Sequence, residues 1–215
     1  MSTDKITELD ALSQAVEDMY EEFYAHNTFI GDSHHILYSG NIDADTAVVK
    51  MHPNPTEVYW AKKKNVHSDC LFIDNEGDSF KKSATTAGFK PANDFLYLSL
   101  IPFYPKIKDG YDDETISNNL WIFDGIIEIS GVKNIITLGY RTSSLVAAYY
   151  GKNLDFDEFE DNIKLNESIY LLKDKILVPL EEPPFVKDGC FKTLQRLNTY
   201  KKFNPQKELQ YAGQQ

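Results

Sequence analysis

Cysteine is nearly absent: Cys70 and Cys190 are the only two in 215 residues. Two are too few for a disulfide framework or a cysteine-ligated cluster. No apolar run approaches the roughly 20 residues that span a bilayer. The opening MSTDKITELD is acidic and polar, unlike a secretory signal. No glycine-rich phosphate loop and no Gly-x-Ser-x-Gly nucleophile elbow occurs, which argues against a nucleotide-binding P-loop domain or an α/β hydrolase. Positive charge is in short supply, with 22 Lys and Arg against 33 Asp and Glu and a net charge of −11. At face value that argues against a nucleic-acid binder. The expectation is a cytoplasmic or otherwise intracellular monomer with no membrane segment, no cofactor and no metal. His34 and His35 are adjacent, and neighbours on a strand point to opposite sides, so joint metal ligation is not expected of them.

What is present suits one α/β domain with a full core, at 42% hydrophobic and 13% aromatic residues. Asp10–Tyr24 carries apolar residues at helical spacing among acids, within an acidic helical segment spanning residues 1–30. Four near-continuous apolar runs read as buried parallel strands: Ala47–Met51, Phe95–Ile101, Asn134–Leu138 and Lys175–Pro179. Ile36–Ser39 and Ser168–Leu172 read as short outer strands. Helices are expected over Asp78–Ala87, after Asp113, after Gly139 and around Leu194, whereas Val58 to Gly77 reads as loop. Strand–helix alternation then predicts a three-layer α/β/α sandwich around a four-stranded parallel sheet, one domain over residues 1–202, with a polar tail over 203–215.

One junction stands out. The run Ala47–Val49 breaks into His52-Pro53-Asn54-Pro55-Thr56, and a strand meeting two prolines cannot continue its ladder. Asn54 is thus presented stiffly at a strand's carboxyl end, where open parallel sheets bind ligands. An ordinary Asn-Pro turn is the plainer reading. Charge is also uneven. Lys62, Lys63 and Lys64 follow this turn, and Lys187, Lys192, Arg196, Lys201 and Lys202 cluster near the C-terminus. Such a local basic face can meet phosphates on an acidic protein, or simply solvate helices.

The order of these elements resembles the uracil-DNA glycosylase superfamily, nearest its mismatch-specific and thymine-DNA glycosylase branch. Val48-Val49 followed by HPNPT is similar to the family's strand and Gly-x-Asn-Pro-Gly loop, with His52 and Thr56 in place of the two glycines. IITLGYRTSSLVAAYYG resembles its strand, Leu-Gly and Ala-rich helix. The iron–sulfur cysteines of some branches are absent. The resemblance implies a glycosylase-like fold and hydrolysis of the N-glycosidic bond of a base flipped out of DNA. It implies that Asn54 positions the attacking water, with His52 donating to phosphate or base and Glu57 the nearest assisting carboxylate. Ser99 stands where the family has a base-reading Asn, and Glu182 where it has a His. Pro55 and Tyr104 would line the same cleft. Lys62, Lys63, Lys64, Lys187 and Arg196 would contact DNA. The changes at Ser99 and Glu182 shift the expected base from uracil toward a modified or cytosine-like pyrimidine, because a carboxylate accepts from an exocyclic amine. An inactive glycosylase fold that docks DNA, or a protein partner through its acidic surface, is the alternative.

Overall fold

Four of the strands are near-continuous apolar runs because both their faces are covered. The computed structural model describes residues 3–20, 30–106, 111–165, 169–172, 174–181 and 188–203. In chain order the elements are α1 (Thr3–Met19), β1 (Ile30–Asp32), β2 (Tyr38–Gly40), β3 (Thr46–Lys50), α2 (Pro55–Lys64), α3 (Asn75–Thr86), α4 (Pro91–Asp94), β4 (Phe95–Ser99) and β5 (Tyr104–Pro105). There follow α5 (Asp113–Ser130), β6 (Asn134–Leu138), α6 (Tyr140–Tyr149), α7 (Phe156–Leu165), β7 (Tyr170–Leu172), β8 (Lys175–Leu180) and α8 (Asp188–Phe203).

Among the described residues the sheet has six strands in the order β2-β4-β3-β6-β8-β7. Its four central members are mutually parallel and are the four apolar runs of the sequence. The expectation of a four-stranded sheet is corrected at the edges, where β2 and β7 add antiparallel to β4 and β8. Each edge strand is only three residues long, as short edges generally are where further pairing must be avoided. A separate two-stranded ribbon joins β1 to β5.

Side chains alternate between two cores, as the two-residue period of a strand requires. Ala47, Val49, Leu96, Leu98, Ile135 and Leu177 pack with Leu9 and Val16 of α1, Phe123 and Ile127 of α5, Val146 of α6 and Phe159 of α7. Val48, Phe95, Tyr97, Ile136 and Val178 pack with Val58 and Ala61 of α2, Phe80 and Ala84 of α3, and Leu194 and Leu197 of α8. Helices therefore cover both faces. Among the described residues no helix is long and apolar enough to cross a membrane.

Two expectations about helices change. The N-terminal helix begins at Thr3 rather than Asp10 and is described as far as Met19. Most consequentially, the stretch after Asn54 is helix α2 and not loop.

Buried histidine ties α1 to the sheet's β2 side. His35 is 1% exposed, lies 2.8 Å by Nε2 from Ser13 Oγ of α1, and stacks on His67 with ring centroids 4.0 Å apart. Burial, reinforced by His67 and His34, lowers its pKa from 6.5 to about 3. The unfolded chain thus binds a proton below pH 6.5 that the folded chain refuses until about pH 3, so stability falls on acidification through that window. Between pH 7 and 4 this group removes about 3 kcal/mol. Urea titrations with EDTA present should show a wild-type midpoint that drops more steeply with acid than that of His35→Gln; parallel slopes would contradict the assignment.

Candidate functional site

The site grows from the end of β3. Pro55 occupies the first turn of α2, and Asn54 caps it: Asn54 Oδ1 accepts from Glu57 N–H at 3.0 Å, while Glu57 Oε2 accepts from Asn54 N–H at 2.8 Å. This is a reciprocal capping box, with proline placed where its missing N–H costs nothing. Glu57 is nevertheless fully buried. Its carboxylate also accepts from Lys50 Nζ at 2.5 Å and from Phe72 N–H. One buried anion thus joins the last residue of β3, the start of α2 and the loop leading to α3.

That loop is held in an unusual backbone. Phe72 has φ +57°, a left-handed conformation rare for a bulky residue. Its N–H reaches Glu57, its carbonyl accepts from Lys81 Nζ at 2.5 Å, and its ring lies 5.0 Å from Lys50 Nζ. A Cβ on Gly77 would sit 2.3 Å from the Phe72 carbonyl oxygen, so glycine is required for this close approach. Asp74 then caps α3, accepting from Gly77 N–H at 2.8 Å through Oδ1, and its Oδ2 accepts from Asn54 Nδ2.

Between these groups lies a cavity of about 320 Å³ lined by Lys50, Met51, His52, Asn54, Phe72, Asp74, Glu76, Gly77 and Leu138. It opens beyond the carboxyl ends of β3 and β6. The chain leaves β3 for β4 on one side and later places β6 on the other, so the cavity occupies the switch point at which open α/β sheets bind ligands. Phe72, Met51 and Leu138 supply apolar wall; Asn54, Asp74 and Glu76 supply polar atoms. Lys50 is matched by Glu57, which leaves the lining acidic.

His52 completes the rim. Burial pushes its pKa below 6.5; the Pro53 carbonyl opposes this, and the charges of Lys50 and Arg141 add to the depression. The ring is therefore neutral at pH 7. Its Nδ1 lies 2.9 Å from the Pro53 carbonyl, which can only accept, so Nδ1 carries the hydrogen and Nε2 is an acceptor. The expected donor role of His52 is corrected accordingly. Tyr104 and Tyr111 meet its ring edge-on at 6.2 and 6.0 Å.

The other expected site residues divide. Glu57 is no assisting carboxylate at the cavity surface, because Lys50, Asn54 and Phe72 occupy it. Pro55 is exposed at the helix start, and Tyr104 touches His52; neither lines the cavity. Ser99 pairs opposite Lys50 in the ladder, 2% exposed, and its hydroxyl has no partner among the described residues. It too is absent from the lining. Lys62, Lys63 and Lys64 form the last turn of α2, about 12–15 Å along the axis from Asn54, so they do not flank the cavity. Cations there complement the helix dipole. Lys63 lies over the ring of Trp60 at 4.7 Å. Arg196 is on the exposed side of α8. Glu182 and Lys187 lie outside the described residues.

Lys50, Phe72, Asp74 and Arg141 were not anticipated. Asn54-x-x-Glu57 is a legible capping signal, but nothing local announces that Asp74 returns to Asn54 across twenty positions. Fold and site together define a mostly parallel α/β protein with a crevice at its topological switch point. No family model matches the chain, and no curated protein matches it.

Removing the charge of Glu57 leaves Lys50, only 15% exposed, without its counter-ion. Glu57→Gln should cost about 3–5 kcal/mol in urea unfolding. Adding Lys50→Met should recover part of the loss. A single-variant cost below about 1 kcal/mol would show that the pair does not hold the site together.

Proposed function

We propose that this chain hydrolyses N-glycosidic bonds as a DNA glycosylase does, taking a flipped pyrimidine with an exocyclic amine into the crevice beside Asn54. The observation that carries this reading is the Asn54 amide, fixed at the switch point with the Asp74 carboxylate against it. The resemblance in the strand–Asn-Pro and Leu-Gly segments supports it independently. So do the cavity's volume and its Phe72 wall, which suit a single base.

The chemistry follows from the donor pattern. Asn54 is tied by its own cap and by Asp74, so its amide cannot swing, and a water bonded to it is oriented toward the sugar. Asparagine is a poor base; Asp74 is the carboxylate next to it and takes the water's proton as the oxygen bonds to C1′. The C1′–N bond breaks with its electron pair leaving on the base, and the proton that Asp74 took from the water passes through solvent to the base nitrogen, which regenerates the carboxylate. His52 Nε2 and the acidic lining accept hydrogen bonds, a pattern that favours an amino-bearing base over one presenting carbonyls. Ser99 contributes through packing beneath Lys50 rather than by reading the base.

A second reading is that the fold binds without catalysing. It is favoured by the distance of Lys62–Lys64 from the crevice and by the acidic lining, neither of which suits a phosphate backbone. Oligonucleotides carrying uracil, mismatched thymine, cytosine or 5-substituted cytosines, single- and double-stranded, separate the two. Heating in alkali after incubation should reveal abasic sites with the wild type on an amino-bearing base. Asn54→Ala and Asp74→Asn should each reduce release about 100-fold or more, with Asn54→Ala losing only about 1 kcal/mol of stability as a lost cap. Lys63→Glu should change the rate little. Release by Asn54→Ala at the wild-type rate would remove this crevice from the mechanism, and no release from any substrate would leave the binding reading.

A further inference from the structure

Helix α2 begins at the crevice and ends on a surface of different character. Its buried side is narrow, with Val58 and Ala61 facing the core. Tyr59 and Trp60 are 58% and 39% exposed. Their rings meet edge to face, 5.5 Å apart at 77°. Lys63 Nζ lies 4.7 Å from the Trp60 ring centre and 5.9 Å from that of Tyr59. Lys62, Lys63 and Lys64 close the helix, and all three are exposed. The one acid of α2, Glu57, is buried in its first turn. A protein of net charge −11 thus carries a helix whose exposed charges are all positive and flank two aromatic rings.

The helix dipole accounts for cations in the last turn, but not for two neighbouring exposed aromatics. Single apolar side chains are common on surfaces; here rings and ammonium groups share one patch. We propose that Tyr59, Trp60 and Lys62–Lys64 bind single-stranded nucleic acid, with unpaired bases stacking on the rings and the lysines meeting the phosphates. Each nucleotide offers a flat π-face and a negative charge, which this combination of rings and cations complements. In a duplex those faces are covered by neighbouring bases, so a single strand is specified. An acidic peptide helix would instead need an apolar groove. Two rings standing nearly perpendicular form separate faces rather than a common floor.

This contact needs no flipped base and no chemistry at Asn54, so it stands apart from the glycosylase reading. Its position nevertheless complements that reading. The lysines lie about 12–15 Å along the axis from Asn54, which is roughly four nucleotides at the rise of a stacked strand. A span of about four nucleotides is one that a single-strand-binding module covers. Phosphates that the acidic crevice repels would be held at the other end of the same helix. The patch sets affinity for the strand and not the rate at which a bound base is released.

Fluorescein-labelled oligothymidine of about 20 nucleotides, titrated with the full chain, tests this by anisotropy. Thymine lacks the exocyclic amine that the crevice favours, so the probe reports on α2. Affinity should fall with salt at a log–log slope of about −2, as three lysines on a single strand require. Binding should quench tryptophan emission. Trp60→Leu should abolish most of the quench and weaken binding about tenfold. Lys63→Glu combined with Lys64→Glu should weaken it at least as much, flatten the slope to about −0.7 and leave the melting temperature unchanged. Asn54→Ala should bind the probe as the wild type does, which separates a failure here from a failure at the crevice. Equal affinity in the wild type and both α2 variants, no binding at low salt, or tighter binding of the matching duplex would overturn the proposal. So would capture of a polyglutamate peptide in place of the oligonucleotide.

Discussion

The buried carboxylate of Glu57 is the contact on which the crevice depends. It accepts from Lys50, from the Asn54 backbone and from Phe72, and those three donors come from a strand end, a helix cap and a loop. A charge at 0% exposure is tolerable only when its lone pairs are filled and a counter-ion is close. The same requirement fixes the backbone on both sides of the cavity. Phe72 keeps its left-handed turn because its N–H and carbonyl are both held, and Gly77 has no side chain to obstruct it. Asp74 follows two residues later, already aimed at Asn54.

Rigidity of this kind has chemical consequences. An asparagine amide that is free to rotate orients nothing, whereas one tied at both ends presents a fixed edge. The acidic lining and the neutral His52 make the crevice a place for hydrogen-bond donors, not for phosphates. Base and backbone would therefore have to be handled by different surfaces. The basic residues nearest in sequence, Lys62–Lys64, sit at the far end of the helix whose beginning forms the site.

Much of the fold could be read from the sequence, because β3, β4, β6 and β8 are covered on both faces and show as near-continuous apolar runs. Helix α2 could not be read by periodicity: only Val58 and Ala61 of its apolar residues are buried, while Tyr59 and Trp60 remain exposed. Its capping box was the better signal. Asn54 and His52 were legible as site residues because prolines mark the turn. Asp74 and Phe72 were not, since they arrive through a loop with left-handed residues at Asn65, Asp69 and Phe72, none of them glycine. Lysines cluster in sequence without clustering at the site, because a helix separates its ends by its length. The histidine stack escaped for a related reason: a strand was assumed where the chain is irregular.

The central claim is that the crevice beside Asn54 receives a pyrimidine base, and nitrogen-15 NMR tests it most directly. Titrating free cytosine, 5-substituted cytosine and uracil into the labelled protein should shift the Asn54 side-chain amide and the Gly77 and Phe72 backbone amides together. The amino-bearing bases should do so at lower concentration than uracil. Shifts confined to residues outside this lining, or none at any concentration of base, would contradict the account.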